Sequence, residues 1–280
     1  MKRRTKIWMS IGTAALLGAG GTIELPQDGK GLVAFQPAPV AFASARSGGE
    51  GGEGGEGGEG GEQGGEHHAA VSDDVGIAAE LLAMKGHLLA ATALLEAGAA
   101  DAATSHLEHP MEEHFGRIHE PLEDRAHEAE EALEAALAEA HAAAGEEDAG
   151  VRAQAAAKAI AAIARTLAEL FGEQLADPAF AGDVLGRLLG EAAHEYEEAV
   201  EDGRIVNAEE YQDAFGMVRA ARALWQELFK GGRIEEGTAK EVEEALAALE
   251  AAFPGPLPPE RAEAPGRVRA LVSRIRLALS

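Results

Sequence analysis

The sequence predicts an all-α protein: a bundle of antiparallel amphipathic helices behind a Gly/Glu-rich N-terminal linker. Three observations carry that class. Hydrophobic residues make up 46% of the 280, many of them alanine, and alanine with leucine, glutamate and arginine is a helix-forming composition. No window alternates apolar and polar residues as a half-buried strand does. Glycines, prolines and capping residues punctuate the chain at helix-length intervals. Aromatics are only 4%, which leaves the core to small side chains.

The elements follow in order. Lys2, Arg3, Arg4 and Lys6 form a positive stretch, Ile7 to Ile23 is apolar, and Ala41-Phe42-Ala43-Ser44-Ala45 suits cleavage after Ala45. Residues 1–45 therefore read as a signal peptide, and the chain as exported, periplasmic or cell-surface, with no transmembrane domain once the leader is removed. Residues 46–70 hold Gly-Gly-Glu repeats. Glycine has nothing to bury and regular glutamates repel one another, so this segment is expected to be a flexible, disordered linker.

Residues 71–145 are expected to form a His-rich helical hairpin. A first helix over 72–97 carries Ile77, Leu81, Met84, Leu88 and Leu95 on one stripe and stops at Gly98. A short helix over 101–109 follows. Pro110 and Pro121 are each expected to open a new segment, because proline suits a first turn and breaks a helix interior. The segment after Pro121 runs to about Ala144, with Leu122, Ala126, Ala129, Leu133 and Leu137 inward.

Residues 146–253 read as a helical bundle region, with helices over 147–175, 179–202, 207–230 and 238–252. Asn207 with Glu210 forms a capping box, with Val206 and Tyr211 at staple positions, and Thr238 with Glu241 repeats the box. Tyr211, Phe215, Val218, Trp225 and Phe229 are expected inward. Residues 254–280 are a Pro-rich break and a last helix over 267–279.

Composition narrows function. A formal net charge of −25 offers no basic footprint for nucleic acid and points to cations or basic protein surfaces as partners. No cysteine is present, which excludes disulfides and thiolate metal sites. No Gly-x-Ser-x-Gly elbow, phosphate-cradling glycine loop or His-Glu-x-x-His occurs, so no enzyme is expected.

The concentrated chemistry is histidine. His106, His109, His114 and His119 fall within fourteen residues, among glutamates. On one helix His106, His109 and Glu113 share a face, and imidazole with carboxylate suits a borderline divalent ion. His87 on the first helix is the natural cross-partner. The candidate ligands are therefore His87, His106, His109, Glu113 and His114, with Pro110 as the element that threatens the stripe. A second candidate is the Glu-x-x-His pair Glu191 and His194, with Asp124 and His127 offering a similar pair, in the manner of di-iron bundles.

The segment His194-Glu-Tyr-Glu-Glu-Ala-Val-Glu-Asp-Gly-Arg-Ile-Val-Asn-Ala-Glu-Glu-Tyr-Gln-Asp-Ala-Phe215 resembles the extracytoplasmic helical region of bacterial high-affinity iron permease family proteins. The shared pattern is Tyr196, Ala199-Val200, Asp202-Gly203 and Glu210-Tyr211, over about residues 189–228. A similar element stands beside some exported cytochrome c domains. The resemblance implies an envelope helical module associated with iron or redox proteins. The permease's membrane helices with Arg-Glu-x-x-Glu are missing, so the chain is not expected to be a transporter itself. His109 with Glu112, and His194 with Glu197, also match loosely the His-x-x-Glu element of the imelysin-like proteins.

The resulting expectation is an exported helical bundle that binds or hands over an iron or copper ion, with an envelope permease or cytochrome as partner. The alternative is a non-metal helical interaction module tethered by its acidic linker.

Overall fold

Caps and glycines set most helix ends where the sequence places them. The structure, a computed structural model, describes residues 71–280. The expected signal peptide over 1–45 and linker over 46–70 lie outside the described residues.

Helix α1 spans Asp74–Glu96, and its cap is Asp73, whose Oδ1 accepts from Gly76 N at 2.7 Å. It is buried on nearly every side, not along one stripe: Ala78, Ala79, Ala83, Gly86 and Ala90 are as enclosed as Ile77, Leu81 and Leu88. A helix apolar all round belongs inside a bundle. By length and composition α1 could cross a membrane; here it is the central helix, mostly buried, with α4, α5 and α6 packed around it.

The next segment corrects the expected breaks. Helix α2 (Ala103–His109) runs without interruption into a π-helical turn over Pro110–Phe115 and then into α3 (Gly116–Ala143). Pro110 has no N–H to give the usual helical bond, and its ring crowds the preceding turn. Widening to π spacing lets the helix continue past it. Pro121 lies inside α3, and the bend comes later, at Ala126, whose φ of −155° and ψ of 58° are non-helical.

Helix α4 spans Ala149–Phe171 and packs on α1 and α3; a 3-10 turn over Gln174–Ala176 leads to α5, Pro178–Ala199. Helix α5 ends three residues before the expected Asp202. Val200–Glu201 (β1) and Arg204–Ile205 (β2) pair antiparallel, and Asp202 and Gly203 take φ of 50° and 74° between them. Asp-Gly is the pair that a two-residue hairpin turn with positive φ at both positions favours.

Helix α6 spans Ala208–Lys230. Its Asn207 cap accepts from Glu209 N at 3.1 Å, and the Asn207 amide donates to Glu210 Oε1 at 3.3 Å. The staple does not form: Tyr211 is buried while Val206 is 60% exposed. Phe229 also faces outward, past the reach of the core. Helix α7 begins at Glu236, so Thr238 lies inside its first turn and is not its cap. Helix α8 (Pro265–Leu279) opens on proline and packs on α5 and α7.

Two contacts position the rest. Tyr196 and Tyr211 stack around Phe253, and their hydroxyls donate to Glu263 O and Gly255 O, which ties the Pro-rich segment to α5 and α6. At the α1–α6 crossing Gly86 meets Gly216: a β-carbon on Gly216 would lie 2.1 Å from Gly86 O. Only glycine allows backbones this close.

Candidate metal centre

The α1–α6 crossing brings His87 beside Asp213, and α2 and the π turn bring His106, His109 and His114 against them. Each piece has a local cause. Glu209, Glu210, Gln212 and Asp213 sit at or just past the first turn of α6, where the partial positive charge of a helix start favours acids. His106 and His109 share a face of α2 by their offset of three. In an α-helix His114, five on from His109, would swing away. The π turn has i to i+5 spacing and returns His114 to that face.

The geometry is close. His87 Nδ1 lies 2.5 Å and His106 Nδ1 2.8 Å from Asp213 Oδ1, and His109 Nδ1 is 3.5 Å from Oδ2. His87, His106, His109 and Asp213 each offer one donor atom, and all four lie within 4.8 Å of one another. Ligands held ~2.1 Å from one ion at tetrahedral or octahedral angles stand ~3–3.5 Å apart; the His109 contact has that spacing, and the His87 and His106 contacts, now at hydrogen-bond length, would open by a few tenths of an ångström around a common cation. His87, Glu113 and His114 make a second such group.

Hydrogen-bond accounting tests the fit. Asp213 accepts from His87 Nδ1, and Glu80 accepts from His114 Nδ1 at 2.8 Å, so in neutral rings both Nε2 atoms carry lone pairs. Those two Nε2 atoms face each other at 2.8 Å. His106 Nε2 lies 2.8 Å from the Gln212 amide oxygen and its Nδ1 2.8 Å from Asp213 Oδ1, so two acceptors compete for the one proton of a neutral ring. His109 Nδ1 is buried and lacks a hydrogen-bond partner. Ring lone pairs in excess of protons leave donors for a cation, and nitrogen with carboxylate oxygen is the donor set of iron, copper and zinc.

Outer groups hold these rings. Glu80, itself buried, accepts from His114 and pairs with Arg117 at 3.1 Å, and Gln212 orients His106. A carboxylate or amide behind a histidine fixes the ring and its tautomer.

Charges follow the enclosure. Burial pushes His87 down to about 4 against the pull of Asp213. Burial alone would lower His109 too, but Asp213, Glu113 and Glu209 outweigh it and raise the ring to about 9. Burial would raise the Asp213 carboxyl, yet His87, His106 and His109 hold it well below the usual carboxylate range.

A cavity of about 370 Å³ opens onto the cluster, walled by Glu113, Glu191, Glu195, Glu209 and Glu210, with Arg117 as its cation. Burial, and then the neighbouring Glu210, push Glu195 up to about 9. A larger cleft of about 510 Å³ beside α1, α4 and α6 is mostly apolar and holds no histidine.

His87, His106 and His109 come together around Asp213, and His114 and Glu113 adjoin them through His87. The second candidate separates: Glu191 is in the cavity wall, whereas His194 is 68% exposed and pairs with Glu198 at 3.4 Å. Asp124 and His127 are exposed on α3. Glu191 and His194, on one helix, look to different surroundings. Spacing along the chain does not mark Asp213, Glu80 or Gln212 as part of the cluster. The one signal for Asp213 was its place within the resemblance segment.

Fold and site together define a helical bundle with a buried histidine–carboxylate cluster. Residues 171–280, which hold the last residue of α4 and all of α5 to α8, match the family model of an iron permease-associated 4-helix bundle domain. The resemblance over 189–228 falls inside that match, and Asp213 belongs to it. No curated protein and no solved structure matches the chain.

Proposed function

We propose that this protein binds an iron or copper ion in the bacterial envelope and hands it to a partner, with no reaction of its own. The observation that carries the reading is the convergence of His87, His106, His109 and Asp213 on a common centre. The iron permease association of residues 171–280 favours iron as the cargo and a permease as the partner, with an exported cytochrome as the other partner that the resemblance over 189–228 implies. The leader-like N-terminus supports an extracytoplasmic place for that exchange.

The residues divide the work. The three imidazoles and Asp213 would ligate the ion, and Glu80 and Gln212 would hold the rings. Glu113, Glu191, Glu209 and Glu210 give the cavity a negative field that concentrates cations and repels anions. Because His109 Nε2 lies 3.1 Å from Glu209 and is the most accessible ring of the four, it is the side from which an ion would arrive and leave.

Metal analysis tests the reading. Purified protein loaded anaerobically with iron(II), or with copper(II), then desalted, should retain the ion stoichiometrically. Asp213→Ala and His106→Ala should each lose it, with affinity down by more than the ~10–100-fold expected for an outer-shell change. A parent protein that retains no metal ends the proposal.

A further inference from the structure

The two donor groups share one residue, and the two ring nitrogens of that residue face different groups. His87 Nδ1 is turned to Asp213, which His106 also meets, and His87 Nε2 is turned to His114. Each side carries its own conflict of acceptors. On the Nδ1 side His106 has one ring proton for two acceptors, Asp213 Oδ1 and the Gln212 amide oxygen, each at 2.8 Å. On the Nε2 side two imidazole lone pairs meet at 2.8 Å. One cation relieves one of these contacts. It cannot relieve both, because the nitrogens point away from each other across the His87 ring.

We infer that the centre takes two transition-metal cations joined by the His87 imidazole. One ion sits on Nδ1 with His106, His109 and Asp213, and the other on Nε2 with His114 and Glu113. The inference rests on the metal-binding reading above and extends it from one ion to two. Bridging forms a metal–nitrogen bond at each ring nitrogen, and the His87 ring proton passes to solvent. The two positions differ in access. The Asp213 position has three donors from buried residues, whereas the Glu113 carboxylate is 48% exposed at the cavity. The second ion is therefore the more accessible of the two. Glu80 with Arg117 behind His114 is an outer shell proper to the second position, as Gln212 behind His106 is to the first.

Copper(II) chloride is the probe, since one ion per chain and two bridged ions differ in electron paramagnetic resonance as well as in stoichiometry. Metal-free full-length protein is titrated, desalted and assayed for copper, and its spectrum is followed at each addition. Two coppers per chain are expected, with the signal of the first ion falling as the second enters because the bridge couples their spins. Glu113→Gln, a change at a partly exposed side chain that spares the core, should weaken the second equivalent by at least about tenfold more than the first; equal weakening of both equivalents overturns the assignment of Glu113 to the second ion. One copper per chain, or two with the full uncoupled signal, overturns the bridge while the single-ion reading stands. No retained copper or iron overturns both.

Discussion

Asp213 is held by three imidazoles, and its charge is what keeps them in place. A buried carboxylate with no partner would cost several kcal/mol, so the histidines and Asp213 stabilise one another as a set. Their protonation gives a test in metal-free protein. The folded value of His87, about 4, lies below its ordinary 6.5. The unfolded chain therefore takes up this proton first, and stability from His87 is lost as pH falls from about 6.5 through 4. His109 runs the other way: its folded value of about 9 exceeds 6.5, so its contribution is complete below about 6.5 and lost as pH rises through 9. Nuclear magnetic resonance of the imidazole protons should show one ring titrating near 9 and one near 4. Ten histidines all titrating close to 6.5 would mean that the cluster is not assembled. Metal binding must displace the His109 proton, so affinity should fall as the solution is acidified below 9.

At the scale of the element, two departures from ideal helix make the site. The π turn at Pro110–Phe115 carries His114 round to the face of His106 and His109. The Gly86–Gly216 contact lets α1 and α6 cross close enough for His87 to reach Asp213, which lies three residues before Gly216. Gly216→Ala would drive a β-carbon into the Gly86 carbonyl, so the helices must separate. The expected cost is ~1–3 kcal/mol of stability, as for other overpacked cores, together with a clear loss of metal affinity. Urea unfolding and metal titration of the same variant read both. A variant with reduced stability and unchanged affinity would show that the crossing does not set the site.

Over the whole described chain, the site straddles two stretches of sequence. His87, His106, His109, Glu113 and His114 come from α1, α2 and the π turn, and Asp213 alone comes from the 171–280 segment that matches the permease-associated domain. Helix α1 also covers faces of α5 and α6. A fragment of residues 171–280 should therefore self-associate through those uncovered faces and retain no stoichiometric metal. Light scattering after size exclusion and metal analysis would check it. A monomeric fragment with the parent's affinity would move the metal site elsewhere.

Much of this was already written in the order of residues. Helix formers, caps and glycine stops made the all-α class and most helix ends legible, because those preferences act within a turn or two of chain. The histidine cluster was legible as spacing, and His87 as its partner across the hairpin. What spacing could not supply was distance between elements. Asp213 lies 107 residues from His106, and nothing local marks it among so many acids. The π turn was hidden as well, since proline reads as a break unless packing on both sides holds the helix together. Thr238 and Val206 show the same limit: each suited a local motif, and burial elsewhere decided against it. Local sequence determined which segments are helical and which side chains could bind an ion. Only the tertiary structure decided which of those side chains meet, because the close crossing of α1 and α6 is a matter of packing, and packing is settled by residues far apart in the chain.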